Sequence, residues 1–209
     1  MAEVFTVIDG DWYTCTPEVA PPPEPEPPPE PEPSPARVFA FSQRDARWAS
    51  IHLGTSSYTM GSAGCAVTAA TMLATVLDPT LTPGDVVEWL NTNGGFTSGG
   101  LLYWAKVAAM VTDLEWVKYY LWRDAPADID LLHTVLARGP TVVQVDFVPG
   151  GALNTHFVVA LSMTEDGKDV NIIDPWTGKR GTLLELYGAA GWDLRRAVYA
   201  MAEYDLARG

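Results

Sequence analysis

Positively charged residues are scarce in this chain. Its 209 residues include 13 Lys and Arg against 26 Asp and Glu, so the formal net charge is −13 at pH 7. Residues 1–37 hold eight acids against one base, Arg37, and contribute −7, which leaves −6 for residues 38–209. Neither part has a basic patch. This argues against binding to a nucleic-acid backbone or to an anionic membrane surface.

Long apolar runs and cysteines are also lacking. No stretch approaches 18 consecutive apolar residues, so we expect no membrane-spanning helix. The first nine residues have neither the basic region nor the apolar core of a secretory signal, so we expect a protein that is cytoplasmic at synthesis. The two cysteines, Cys15 and Cys65, flank a long proline-rich stretch and do not imply a disulfide scaffold. Two free thiols are the simpler interpretation, and one disulfide between them is the alternative.

The residues that are present divide the chain into three segments. Residues 17–37 are dominated by proline and glutamate, which disfavour helix and sheet and predict an extended linker. Residues 1–16 form a short head whose apolar and polar residues alternate, which predicts one strand or a hairpin turning at Asp9-Gly10. A docking peptide that adds to a protein partner's sheet and a disordered tail are equally favoured for this head. Residues 38–209 have the pattern of a globular domain.

Within residues 38–209 the pattern predicts helices first and an antiparallel sheet afterwards. This is an α+β layout in which a helical half packs on a sheet. The predicted helices cover residues 65–76, 82–93, 101–111 and 128–138. The predicted strands cover residues 141–147, 156–163, 169–174 and 196–203. The tryptophans in these patterns are expected in the core rather than in a sugar-binding platform: Trp89, Trp104, Trp116, Trp122 and Trp192.

Cys65 is the candidate nucleophile. It opens an apolar helix directly after Gly64, and a cysteine in the first helical turn lies at the positive end of the helix dipole, which favours the thiolate. Gly64 would permit a tight turn and the close approach of a substrate backbone. The alternative is an inert, space-filling cysteine. Taken alone, Cys65 favours that alternative.

Three further residues favour a catalytic role for Cys65 over an inert one. His156 follows a glycine-containing turn and precedes an apolar strand, which suits a general base, although a hydrogen-bonded edge histidine fits too. His52, in a loop, and His133, in a helix, are weaker candidates. Asp174 ends the next strand before a proline, where a carboxylate would orient the imidazole or simply form an Asp-Pro turn. Gln43 offers an amide donor for an oxyanion, although a glutamine in a loop means little by itself.

Five short motifs occur in an order shared with a known family. They are Ser42-Gln43-Arg44-Asp45 with Trp48, Gly64-Cys65-Ala66-Val67-Thr68 with Met72, Gly94-Gly95-Phe96, His156-Phe157-Val158-Val159 and Asp174-Pro175-Trp176. Over most of residues 38–200 the chain thereby resembles the C39-like cysteine peptidases. The resemblance implies a papain-like fold with Cys65 as nucleophile, His156 as general base and Asp174 as its orienter. It also implies that Gln43 and the Cys65 amide bind the oxyanion, and that Arg44, Asp45 and Trp48 shape the Gln43 loop.

We therefore expect a cysteine peptidase that hydrolyses peptide bonds through an acyl-enzyme. No cofactor or metal is expected, since no Cys/His cluster has metal-ligand spacing. A domain on a stiff spacer suits a phage or bacterial lytic enzyme that cuts the peptide stems of peptidoglycan, either virion-associated or released to the cell wall. One alternative is a structural component of a virion or secretion particle, anchored by residues 1–16, whose domain binds peptides or opens the wall locally. Another is a catalytically inactive relative that only binds peptides.

Overall fold

The computed structural model describes residues 4–8, 11–15 and 38–206. The chain divides into two compact units, Met1–Ser34 and Pro35–Gly209. In the first unit, strands β1 (Val4–Ile8) and β2 (Asp11–Cys15) pair antiparallel. The sequence predicts either one strand or a hairpin for the head, and the structure has the hairpin. The predicted linker lies outside the described residues, and of Cys15 only the backbone is described, so neither the conformation of the linker nor the state of the Cys15 thiol is tested.

The second unit is built around a six-stranded antiparallel sheet. Its strands are β3 (Leu114–Leu121), β4 (Thr141–Asp146), β5 (Thr155–Met163), β6 (Val170–Asp174), β7 (Lys179–Thr182) and β8 (Ala200–Leu206). They lie in the order β3-β8-β4-β5-β6-β7. The antiparallel sheet and the α+β layout are confirmed.

Seven helices accompany this sheet in the part of the chain that the structure describes. They are α1 (Met60–Ala63), α2 (Cys65–Ala74), α3 (Pro83–Thr92), α4 (Trp104–Met110), α5 (Ile129–Arg138), α6 (Leu183–Tyr187) and α7 (Leu194–Ala197). Helix α3 begins as expected, because Thr82 and Asp85 form a capping box ahead of Pro83. None of the described helices is long and apolar enough to cross a membrane.

Several sequence-based assignments are wrong. Strand β3 precedes α5, so the helices do not all come before the sheet; its residues are only partly buried at the sheet edge, which weakened its signal. The strand predicted over residues 196–203 starts instead as helix α7, which Asp193 caps, and β8 begins only at Ala200. Helix α4 starts at Trp104 rather than at residue 101. Strand β7 and helix α6 were not predicted.

Helices cover both faces of the sheet. Successive residues of a strand point to opposite faces. Accordingly Val142 and Val159 belong to one core with α2, α3 and α4, whereas Val143 and Val158 belong to a second core with α5, α6 and α7. Strand β4 is buried at all six positions as a result. The prediction that a helical half packs on the sheet therefore describes only one of the two covered faces.

Helix α2 presents Cys65 at its first position and is buried from Val67 to Ala74. A single residue, Gly64, separates it from α1. A β-carbon at residue 64 would lie 2.5 Å from the Met60 carbonyl oxygen and 2.8 Å from its Sδ atom. Glycine is therefore needed for this close approach between the two helices, in agreement with the tight turn expected there, and its role towards a substrate backbone stays a prediction.

Replacing Gly64 with alanine is expected to lower the free energy of unfolding by about 1–3 kcal/mol, as in other overpacked cores. The added methyl group forces α1 and α2 apart. Urea denaturation followed by tryptophan fluorescence measures the loss. Gly151→Ala is the matched control, because a β-carbon there has nothing within 4 Å. Equal stability of the two variants would contradict the packing argument.

Candidate active site

His156 and Asp174 lie on neighbouring strands and face each other. The register of β5 and β6 pairs Val159 with Ile173, and one further step places Asp174 opposite Val158, on the same face as His156. The distance between His156 Nε2 and Asp174 Oδ1 is 2.9 Å. Each residue is only 3% exposed. The structure thus brings together the residues that the sequence proposed as base and orienter.

Cys65 lies in the same cleft as the imidazole. Its free thiol is half-buried at the start of α2 and is near enough to His156 to raise the pKa of that residue. An ionised carboxylate only accepts hydrogen bonds, so Nε2 donates to Asp174 and Nδ1 is the ring nitrogen left for a second partner. The imidazole is therefore positioned to exchange a proton with the thiol while Asp174 holds its other nitrogen.

The positive charge of His156 and the negative charge of Asp174 stabilise one another. Burial lowers the pKa of His156, but the hydrogen bonds and charges of Asp174 and Cys65 outweigh it and raise the pKa to about 9. Burial raises the pKa of Asp174, but hydrogen bonds from His156, Thr177, the Trp176 amide and Tyr187 lower it to about 2. At neutral pH the site therefore holds an imidazolium beside an ionised carboxylate. An adjacent imidazolium favours the thiolate form of a cysteine.

The turn after β6 holds the Asp174 carboxylate in place. Oδ1 accepts a hydrogen bond from the Trp176 amide at 2.9 Å. Oδ2 accepts two from Thr177, one from the amide at 3.1 Å and one from the hydroxyl at 2.7 Å. Asp174 thus forms the Asp-Pro turn and contacts the imidazole, so both interpretations of this residue hold.

Aromatic rings that the sequence did not single out enclose the imidazole. The ring centroids of Phe147 and Tyr187 lie 5.0 Å and 5.3 Å from that of His156. Trp176 packs edge-on against Phe147 at 5.3 Å. Burial together with the nearby Asp174 charge raises the Tyr187 pKa. These rings keep water away from the charged pair, which strengthens it.

Gln43 is buried near the nucleophile helix, and its amide is already engaged. Its Nε2 lies 3.3 Å from the Met60 carbonyl oxygen and 3.4 Å from that of Gly61. Oε1 has no hydrogen-bond partner in the described part of the chain. Both hydrogen bonds from Nε2 are long. Rotating the side chain to direct one N–H towards an oxyanion would therefore break only one weak hydrogen bond. The contribution of Gln43 to oxyanion binding stays a prediction.

The loop that carries Gln43 is held by the residues expected to shape it. The Trp48 indole Nε1 donates to the Ser42 carbonyl at 2.9 Å. Asp45 forms an ion pair with Arg47. The Arg44 guanidinium lies 4.7 Å from the centre of a Trp176 ring, which ties this loop to the turn after Asp174.

Several of these residues border one cleft with a volume of about 740 Å³. Gln43, Cys65 and His156 line it together with aromatic side chains that include Trp104 and Phe157. Trp104, expected in the core, therefore also contributes to the cleft wall. His52 and His133 are exposed and do not line the cleft.

The arrangement supplies what nucleophilic attack on a carbonyl carbon requires: a sulfur nucleophile, a proton carrier in contact with it, and a carboxylate that orients the carrier. As the first residue of α2, Cys65 also offers a backbone amide without a carbonyl partner in its own helix.

Within the described residues, no group of three or more His, Cys, Asp or Glu side chains is placed to hold a metal ion. No protein-family profile and no curated protein matches this chain.

The pKa of His156 is a direct test of this geometry. In the wild-type protein we expect the ring to titrate near pH 9. Asp174→Asn and Cys65→Ala each remove a group that stabilises the imidazolium, so each is expected to shift the titration to lower pH. NMR of the histidine ring resonances measures the shift, with His52→Gln and His133→Gln used for assignment. A His156 titration unchanged in both variants would refute the proposed contacts.

Proposed function

We propose that this protein is a cysteine hydrolase that cleaves peptide bonds through a thioester acyl-enzyme. The observation that carries the proposal is the buried His156–Asp174 hydrogen bond of 2.9 Å beside Cys65, with Cys65 and His156 at the wall of one cleft of about 740 Å³. The motif resemblance to the C39-like peptidases supports the same conclusion. So does the placement of the nucleophile on a helix and of the base and carboxylate on a sheet, which is the arrangement of a papain-like fold.

In the first half of the reaction, the Cys65 thiolate attacks the carbonyl carbon of the peptide bond. The negative charge that develops on the carbonyl oxygen is stabilised by the Cys65 amide and by a reoriented Gln43 side chain. His156 then gives its Nδ1 proton to the departing amine while the C–N bond breaks. The acyl group remains on sulfur as a thioester.

In the second half, a water molecule replaces the amine. The neutral imidazole takes a proton from this water through Nδ1, and the resulting hydroxide attacks the thioester. The C–S bond breaks, the carboxylic acid leaves, and the thiolate–imidazolium pair is restored. Asp174 remains ionised throughout and keeps the Nε2 proton in place, which fixes the tautomer and ring orientation.

Within this reaction class we propose the peptide stems of the bacterial cell wall as substrate. The support is the organisation of the sequence, in which the proposed hydrolase domain follows a Pro/Glu-rich segment that the composition predicts to be an extended spacer. Digestion of purified cell wall by the wild type and by Cys65→Ala, with mass analysis of the released fragments, identifies the bond that is cut. Activity on casein but not on cell wall would replace this substrate with ordinary polypeptides.

A second candidate function concerns the head. The β1–β2 hairpin belongs to a unit distinct from the hydrolase domain, and no described strand pairs with either outer edge of this hairpin. Two-stranded sheets are marginally stable alone, and open edges accept a further strand. We propose that the head anchors the domain to a larger particle by adding to a partner's sheet.

Cys65→Ala is expected to lower kcat/KM for a cleaved peptide by about 10⁴-fold or more, because the nucleophile is lost. Cys15→Ala is the matched control and is expected to keep full activity. Mass spectrometry of quenched wild-type enzyme should detect the acyl group on the peptide that contains Cys65. Equal turnover by the Cys65 variant would refute the mechanism.

Alkylation distinguishes an active enzyme from an inactive relative. Iodoacetamide near neutral pH is expected to modify Cys65 faster than Cys15, and His156→Ala is expected to slow the reaction at Cys65. A reactive Cys65 without turnover of any peptide would indicate a binding protein. An unreactive Cys65 would contradict the thiolate–imidazolium pair itself.

Deletion of residues 1–35 tests the anchor. The truncated protein is expected to hydrolyse a soluble peptide at the wild-type rate but to lose co-sedimentation with the particle. Attachment that survives the deletion would refute the anchor, whereas loss of both properties would show that the head is needed for folding.

A further inference from the structure

Among the described residues that line the cleft there is no carboxylate, although the domain is acidic. Residues 38–209 hold 18 of the 26 acids and 12 of the 13 bases. The described lining residues nevertheless include one Arg, Arg123. The positive charge of His156 is balanced by the Asp174 carboxylate at 2.9 Å, so Arg123 is the cation of the cleft wall that remains available to a ligand. A cation without a counter-charge attracts anions.

Arg123 is exposed and is not committed to an ion pair. Among the described residues, Arg47 pairs with Asp45 and Arg138 with Glu203, whereas no described carboxylate lies within ion-pairing distance of Arg123. A guanidinium offers five N–H donors in a planar fork that matches a carboxylate. This group is therefore free to bind an anion in the cleft.

Arg123 and His156 lie at the same end of the sheet. The strand pairings place Leu121, Ala200, Gln144 and Phe157 in one row across β3, β8, β4 and β5. Arg123 follows Leu121 by two residues, and His156 adjoins Phe157. Three strand spacings of about 4.8 Å separate β3 from β5, or about 14 Å. An extended peptide spans this distance in about four residues. The length of the arginine side chain reduces the distance that the peptide must span.

A hydrogen-bonded network spans the space between the two charged groups. The Tyr119 hydroxyl donates to Gln144 Oε1 at 3.0 Å, and Gln144 Nε2 donates to the Thr155 hydroxyl at 3.0 Å. Trp104 stacks on Tyr119 with centroids 6.0 Å apart and meets the Phe157 ring edge-on at 5.1 Å. The region between Arg123 and His156 is therefore rigid, aromatic and uncharged, and suits the uncharged part of a peptide.

We infer that Arg123 is a carboxylate-binding subsite of this cleft. The preferred substrates are then peptides that carry a carboxylate two to four residues from the cleaved bond, from an acidic side chain or a free chain end. The inference rests on the proposed function, because it takes the cleft as the site where the peptide is cut. Arg123 determines specificity and takes no part in bond breaking.

The test uses the full-length protein and pairs of peptides that differ only by Glu or Gln at one position, scanned along both sides of the cleaved bond. We expect kcat/KM to favour Glu about fivefold at one position two to four residues away, the upper range for an exposed ion pair. The preference should weaken as salt is added. Peptides with a free or an amidated C-terminus distinguish a chain end from a side chain.

Arg123→Gln is expected to bring the Glu/Gln ratio of kcat/KM to about 1, whereas Arg123→Lys should retain part of it. Arg195→Gln is the matched control, since Arg195 is exposed on α7 and does not line the cleft. This control is expected to keep the wild-type ratio. A ratio of 1 at every position in the wild type, or an unchanged ratio in Arg123→Gln, would overturn the subsite.

A second measurement separates the subsite from the hydrolysis. N-iodoacetyl peptides that end in Glu or Gln, each with an amidated C-terminus, alkylate Cys65 without turnover, and we expect the Glu reagent to react faster in the wild type but not in Arg123→Gln. If no peptide is hydrolysed but this preference is present, the subsite stands and the proposed function fails. If peptides are hydrolysed and neither assay shows a preference, the function stands and the subsite fails.

Discussion

The buried hydrogen bond between His156 and Asp174 is the interaction on which the site depends. A charged pair taken out of water is costly unless every remaining polar atom is satisfied. Here the turn after β6 donates to both carboxylate oxygens, and the nearby Cys65 thiol helps to raise the pKa of His156. Removing one partner leaves the others buried and uncompensated. The thiol, the imidazole and the carboxylate therefore behave as one unit.

The geometry of these three residues requires the strands of the sheet to pair in the correct register. A slip of one residue between β5 and β6 would move Asp174 to the opposite face from His156. That register is enforced because both faces of the sheet are buried against helices, so a slipped strand would expose one core and bury polar groups in the other. Helix α2 packs on β5 and brings Cys65 to the same edge. The two cores thus fix the geometry of the chemistry.

The positions of the three central groups were predictable from local sequence, because each lies at the start or end of a regular element. Cys65 opens an apolar helix, while His156 and Asp174 stand at the ends of consecutive apolar strands. Phe147 and Tyr187 were not predictable, since they reach the imidazole only through tertiary packing and Tyr187 stands in a five-residue helix with little periodicity. Gln43 was placed correctly at the cleft, but its bonds to two backbone carbonyls depend on how α1 packs, which no local pattern encodes.

The position of β8 constrains the order in which the sheet can form. This strand, residues 200–206, comes last in sequence among the described strands, yet it lies inside the sheet between β3 and β4. Until it is inserted, β3 has no neighbour and the sheet has an open seam beside β4, which is buried at every position. Pairings between residues so distant in sequence form slowly, because a long loop must close first. A ribosome-bound chain that lacks residues 200–206 therefore cannot hold the complete six-stranded sheet.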